Sequence, residues 1–181
     1  GLNLVGAETV RELEPGEMVI VEGAKLRSLK PFEPVSQPAR CVFEQVYFAR
    51  PDSVIFGRGV QAARRDLGRA LAREMQGVKA DIVVPVPDSG VSAALGFSEE
   101  SGIPFDIGLI RNHYVGRTFI EPAQNAREQK VKMKFNPIAG VLRNKRVVLV
   151  DDSIVRGTTL KFLTKMLRDA GAREVHIRIS S

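Results

Sequence analysis

Two adjacent carboxylates, then small hydroxyl residues and a glycine, stand in the run Asp151-Asp152-Ser153-Ile154-Val155-Arg156-Gly157-Thr158-Thr159. Four apolar β-formers, Val147 to Val150, lead into it, and a helical pattern leaves it. In an open α/β sheet, ligands bind at the carboxyl ends of strands, where the chain turns toward a helix. Such a turn presents backbone N–H groups and the following helix adds its positive dipole end, so together they hold a phosphate. Gly157 admits a close backbone approach, and Ser153, Thr158 and Thr159 add hydroxyl donors. The two acids would repel a nucleotide's phosphate tail. They suit the 2- and 3-hydroxyls of a ribose, or a divalent cation. The pattern therefore points to a ribose 5-phosphate site. It lacks the Gly-Lys-Ser/Thr of a Walker loop and the Gly-x-Gly-x-x-Gly of a dinucleotide site. The plainer alternative is an N-capping Asp/Ser turn behind a buried strand.

A second acidic turn, Val86-Pro87-Asp88-Ser89-Gly90, has the same setting between an apolar run and a helical pattern. Asp88, Ser89 and Gly90 offer amides and a hydroxyl to a second phosphate group or to its metal; alone, the turn reads equally as a helix cap. Charge adds a third signal. Residues 111–146 hold nine Arg and Lys against Glu121 and Glu128, a local charge of +7, while the rest carries 18 basic and 19 acidic residues. A positive charge this local suits a small phosphorylated sugar at least as well as a nucleic acid, the alternative being a solvated basic loop.

Short apolar runs alternating with amphipathic helices predict an α/β fold, a mainly parallel sheet flanked by helices with a short N-terminal β segment. Strands are expected at Met18–Glu22, 24–29, Val42–Phe48, 81–86, 105–110, Arg146–Val150 and Glu174–Ile179. Helices are expected over 60–76, 91–100 and 158–170. Pro85 inside its apolar run argues for a place near a sheet edge. Pro31, Pro34 and Pro38 mark a connector, so a boundary is expected near residues 30–40. From Asn112 to about Ala139 no period holds, and this basic stretch is the candidate for a lid over a polyanion. No apolar run approaches the roughly 18 residues that cross a bilayer, no signal peptide is evident, and a single cysteine fits a reducing compartment. The expectation is a cytoplasmic protein without a membrane or nucleic-acid partner.

Residues 147–161 resemble the phosphoribosyl pyrophosphate (PRPP) motif of type I phosphoribosyltransferases. With Phe43–Ser53 and Arg111–Ile120, in that order, they resemble the glutamine PRPP amidotransferase (amidophosphoribosyltransferase) family over nearly the whole chain. The resemblance implies that Asp151 and Asp152 bind the ribose hydroxyls and Mg²⁺, and that Ser153 to Thr159 hold the 5-phosphate. It implies that Asp88, Ser89 and Gly90 form the pyrophosphate loop, with Ser89 near the metal. Residues 111–135 would close over PRPP, making Arg111, His113, Tyr114 and Arg117 the catalytic candidates, although each reads equally as a surface residue. The implied reaction makes 5-phosphoribosylamine from PRPP and ammonia, the first step of de novo purine synthesis, with glutamine supplying the ammonia in the intact enzyme. Nucleotide feedback inhibitors and a homo-oligomer are implied as partners.

Two departures qualify this. Residues 1–40 resemble only the last strands of the family's glutaminase domain plus a linker, and the cysteine nucleophile of that domain is not in the chain. Residues 41–181 would be the PRPP domain, truncated at its C-terminus, so the chain is expected to be a fragment. A non-catalytic PRPP- or nucleotide-binding module is the alternative to an enzyme. Some family members also bind a 4Fe–4S cluster through a cysteine placed like Cys41. Such a cluster needs about four thiolates and the chain holds one, so a buried, inert Cys41 is expected.

Overall fold

The computed structural model describes residues 5–33, 37, 39–75, 77–112, 134–155 and 157–181. They fall into two compact units, Gly1–Cys41 and Val42–Ser181. In the first, strands β1 (Met18–Glu22) and β2 (Lys25–Leu29) pair antiparallel from Met18↔Leu29 to Glu22↔Lys25. The two-residue connection needs a left-handed residue, supplied by Gly23 at φ 61°. Among the described residues of this unit none is buried, so the hairpin is held by its ladder and by polar contacts. Glu17 is the hub of these, accepting from both Arg11 terminal nitrogens, the Ser28 hydroxyl and the Glu14 amide.

The second unit is built on a parallel sheet of β5 (Ile82–Pro85), β8 (Arg146–Asp151) and β9 (Glu174–Ile179), in that spatial order. Before it come two short antiparallel strands, β3 (Val54–Ile55) and β4 (Arg58–Gly59), and the helix α1 (Val60–Glu74). Helix α2 (Val91–Ser101) follows β5, and α4 (Thr158–Asp169) follows β8. Side chains alternate across the strands. Ile82, Val84, Val147 and Leu149 pack against Leu160, Leu163 and Leu167 of α4. Val83, Val148 and Val150 face Ala93, Ala94 and Phe97 of α2 and Ala72 of α1. Both faces of the sheet are covered, and the continuous apolar character of β5 and β8 follows from that.

Pro85 does not interrupt the ladder. Val86 donates to the Val150 carbonyl, so even-numbered residues of β5 face β8, while Val83 bonds outward to Pro104 and Asp106. Pro85 shares the outward side, and its missing donor costs the β5–β8 pairing nothing.

Three expectations differ from the structure. Residues 42–48 do not form a strand: Glu44–Phe48 is a single π-helical turn, closed by the Ala49 amide on the Glu44 carbonyl. Its one buried residue is Val46, and the turn is held from α1 by the Arg64 side chain, which donates to the Gln45 and Ala49 carbonyls. The strand expected at 105–110 divides. Phe105 makes one parallel bridge to Val83, and β6 (Leu109–Arg111) pairs antiparallel with β7 (Phe135–Pro137). Part of the aperiodic stretch is thus ordered, since Phe135 and Leu109 both bury in the core, and a short helix α3 (Ala139–Leu142) follows. Residues 113–133, the centre of the expected lid, lie outside the described residues.

Candidate phosphoribosyl site

Asp151 is the last residue of β8, and Asp152 starts the turn toward α4; both are buried. One Asp151 carboxylate oxygen, Oδ1, accepts from the Ser89 hydroxyl and from the Asp152 amide, each at 2.9 Å. Asp152 Oδ1 accepts from the Ser153 hydroxyl at 2.6 Å, whereas its buried Oδ2 has no hydrogen-bond partner. Burial pushes the Asp151 carboxyl up to about 6, with the Asp152 charge adding to the rise. The Asp152 amide, Ser89 and the Lys134 charge oppose it without cancelling it. Buried carboxylates with unused acceptor capacity are expensive unless a ligand completes them. This pair is built to receive hydroxyl donors or a cation.

The 86–90 turn meets this pair because of one close packing contact. The Val86 amide donates to the Val150 carbonyl at 2.9 Å, and Gly90 lies against the same oxygen. A Cβ on Gly90 would sit 2.2 Å from it, so only glycine allows the approach that brings Ser89 to Asp151. The backbone of Gly90 is ordinary (φ −80°), so space rather than conformation demands the glycine. The Pro87–Asp88 peptide is cis. Asp88 accepts from Arg111 at 2.9 Å on the exposed side of the turn.

Gly157, at φ 67°, turns the chain into α4, and no side chain caps that helix; α2 behind Gly90 is likewise uncapped. The acids and serines of both turns bond to each other instead. The capping alternative is therefore not what these residues do, and the first-turn amides of α4 remain directed at the cleft's end.

A cleft of about 470 Å³ brings together Ser89, Asp151, Asp152, Ser153, Ile154, Val155, Gly157, Thr158 and Thr159. Asp88, Gly90 and Arg111 are not among its lining residues: Gly90 supports from behind, and Asp88 and Arg111 pair with each other. His113, Tyr114, Arg117 and Arg156 lie outside the described residues. Cys41 is exposed, not buried as expected, because it lies in the irregular segment ahead of the π-helical turn and no core side chain covers it.

The cleft also contains residues that sequence reasoning passed over. Phe43 and Tyr47 form an aromatic wall with ring centroids 5.6 Å apart. Their i, i+4 spacing was a helical signal, outweighed in a segment this short by its β-branched and aromatic content. Lys134 lines the cleft with its ammonium 5.2 Å from the Phe135 ring centroid. In the sequence it was one of nine basic residues and nothing marked it out.

This arrangement, strand–acidic turn–helix with a second turn locked beside it, defines a phosphoribosyl-binding architecture, and the chain belongs to the phosphoribosyl transferase domain family, whose model matches residues 60–180. Within that class it is similar to amidophosphoribosyltransferases. It is 54% identical to that of Rhizobium etli over 99% of this chain and 37% of the relative, and 52% identical to that of Bacillus subtilis over the same shares. Among solved structures it is similar to an allosteric regulatory enzyme of purine biosynthesis and to the B. subtilis glutamine PRPP amidotransferase complexed with ADP and GMP. Each has a TM-score of 0.86 and 52% identity over 99% of this chain, and the chain covers 38% and 39% of them respectively. The chain thus spans little more than a third of the length of these relatives.

Proposed function

We propose that the chain is the PRPP-binding part of an amidophosphoribosyltransferase, joining ammonia to PRPP to give 5-phosphoribosylamine and pyrophosphate at the start of purine synthesis. The observation that carries this is the buried Asp151–Asp152 pair with an unpartnered oxygen, in a turn fastened to the 86–90 turn through Ser89. Asp151 and Asp152 accept the ribose hydroxyls. The turn 153–159 and the uncapped α4 N-terminus hold the 5-phosphate. The turn of Asp88, Ser89 and Gly90 takes the pyrophosphate, with Ser89 lining the cleft and Gly90 supporting it from behind, and Lys134 adds positive charge to the same cleft. Arg111, with His113, Tyr114 and Arg117, supplies cations and donors over the leaving group, and closure there excludes water from the oxocarbenium-like centre.

Mg²⁺ fits these residues. Magnesium is bound by one or two carboxylates together with substrate oxygens, and Asp151, Asp152 and Ser89 offer hard oxygen donors, one of them unused. When bound, it neutralises charge developing on pyrophosphate. A 4Fe–4S cluster would need about four thiolates, of which these residues supply only Cys41, so in the longer protein Cys41 would be one ligand and the others would come from outside this stretch. We read residues 1–40 as the end of a glutaminase domain plus linker, and 41–181 as the phosphoribosyltransferase domain. In the longer protein, glutamine supplies the ammonia, nucleotides act as feedback inhibitors and the chains form a homo-oligomer in the cytoplasm. Among the described residues no helix is long and apolar enough to cross a membrane.

The test is pyrophosphate release from PRPP with Mg²⁺ and ammonium. Ammonium-dependent, saturable release is expected. Saturable PRPP binding without release would replace the enzyme reading with that of a binding module.

A further inference from the structure

Arg111 closes β6, and its Nη1 donates to Asp88 Oδ2 at 2.9 Å. Neither side chain lines the cleft, yet their neighbours do. Pro87 and Ser89, on either side of Asp88, are lining residues. So are Phe135, the register partner of Arg111, and Lys134, whose carbonyl accepts from the Asn112 amide. The ion pair therefore stands on the rim, one residue away from the lining on each of its two elements.

The pair is weak. Its side chains are 45% and 65% exposed, and one N–H meets one carboxylate oxygen. Water screens such a contact, and exposed ion pairs contribute little. A guanidinium has five N–H groups in a planar fork that matches phosphate oxygens two at a time. Pyrophosphate carries more negative charge than a carboxylate and offers oxygens for that fork. The same charge repels Asp88, so the acid and the pyrophosphate cannot share the rim on equal terms.

We propose that Asp88 is a positioning residue that holds Arg111 at the rim and yields it to the pyrophosphate group of PRPP, carboxylate and leaving group competing for one guanidinium. The inference rests on the PRPP reading of the cleft. The exchange also runs backward. Asp88 takes the guanidinium again when pyrophosphate leaves, which keeps the affinity for that product low. The 5-phosphate turn lies outside the exchange.

The experiment titrates the 181-residue chain by calorimetry with inorganic pyrophosphate and, separately, with ribose 5-phosphate, both in Mg²⁺. Asp88→Asn removes the competing charge and is expected to raise pyrophosphate affinity about threefold, leaving ribose 5-phosphate within about 1.5-fold. Arg111→Gln is expected to lower pyrophosphate affinity about threefold or more. In an Arg111→Gln background the gain from Asp88→Asn should disappear, because no guanidinium remains to be released. Both side chains are exposed, so neither substitution removes packing. A gain of the same size in that background would show plain charge repulsion and overturn the proposal. So would an unchanged or lower affinity in Asp88→Asn, an equal gain on ribose 5-phosphate, or an Arg111→Gln variant that binds pyrophosphate as wild type does. Wild-type chain that binds ribose 5-phosphate but not pyrophosphate also overturns it. Wild-type chain that binds neither ligand removes the PRPP reading itself, and the inference with it.

Discussion

The two ends of the β5–β8 pair use the same side chain in opposite ways. At the amino end, Asp81 accepts from the Arg146 amide at 2.7 Å and from its guanidinium at 2.7 and 3.1 Å. That fork holds the Asp81 carboxyl well below the usual carboxylate range. At the carboxyl end, Asp151 and Asp152 are more deeply buried, face hydroxyls and an amide rather than a guanidinium, and keep an oxygen unpartnered. There the Asp151 carboxyl rises to about 6. One end commits its carboxylate to an ion pair within the fold, and the other leaves a buried carboxylate oxygen unpartnered, as the proposed ligand site requires. Electrostatic optimisation and binding capacity are thus separated along four residues of strand.

The strongest way to break this contrast is Asp151→Asn with Asp152→Asn. Calorimetry should then show PRPP affinity lost by more than about 100-fold, and unchanged binding would sink the site assignment. Next, Gly90→Ala forces a methyl onto the Val150 carbonyl and drives Ser89 from Asp151. PRPP affinity is expected to fall roughly tenfold with the circular dichroism spectrum retained; an unaffected affinity would mean that the two turns act independently.

The smallest effect is on stability, and its sign differs between the ends. The Asp81 carboxyl is depressed, so its contribution is present above the ordinary carboxylate pKa and lost as pH falls below it. The Asp151 carboxyl is raised, so its neutral form favours the folded state at low pH. That advantage disappears as pH climbs from the ordinary value near 3.8 through about 6. At pH 7, urea titrations should find Asp151→Asn more stable than wild type, on the order of 2 kcal/mol, and Asp81→Asn less stable. The same sign in both variants would erase the contrast. PRPP–Mg²⁺ affinity of the wild type should also weaken as pH drops below about 6, since a protonated Asp151 is a poor ligand for a cation.

Much of the fold could be read where local pattern and tertiary role coincide. Leu160, Leu163 and Leu167 at helical spacing, and the unbroken apolar run of β8, are what a covered parallel sheet requires. That Asp151, Asp152 and Ser89 stand together in one cleft was also readable, because two acids in series with serine, glycine and paired threonines are more than a helix cap needs. The π-helical turn was not. Val42–Phe48 is short and rich in β-branched and aromatic residues, and what holds it in a turn is Arg64, outside the segment and within another element. Lys134 likewise acquires meaning only when β7 pairs with β6 and carries it to the cleft.

The contact of Gly90 with the Val150 carbonyl has one more consequence. Two loops some sixty residues apart in the chain share a single backbone atom as their common origin, so the gap between them is a fixed length. The cleft is consequently a gauge. On the proposed function, a ligand bearing anionic groups at both ends would have to match that span to reach both turns.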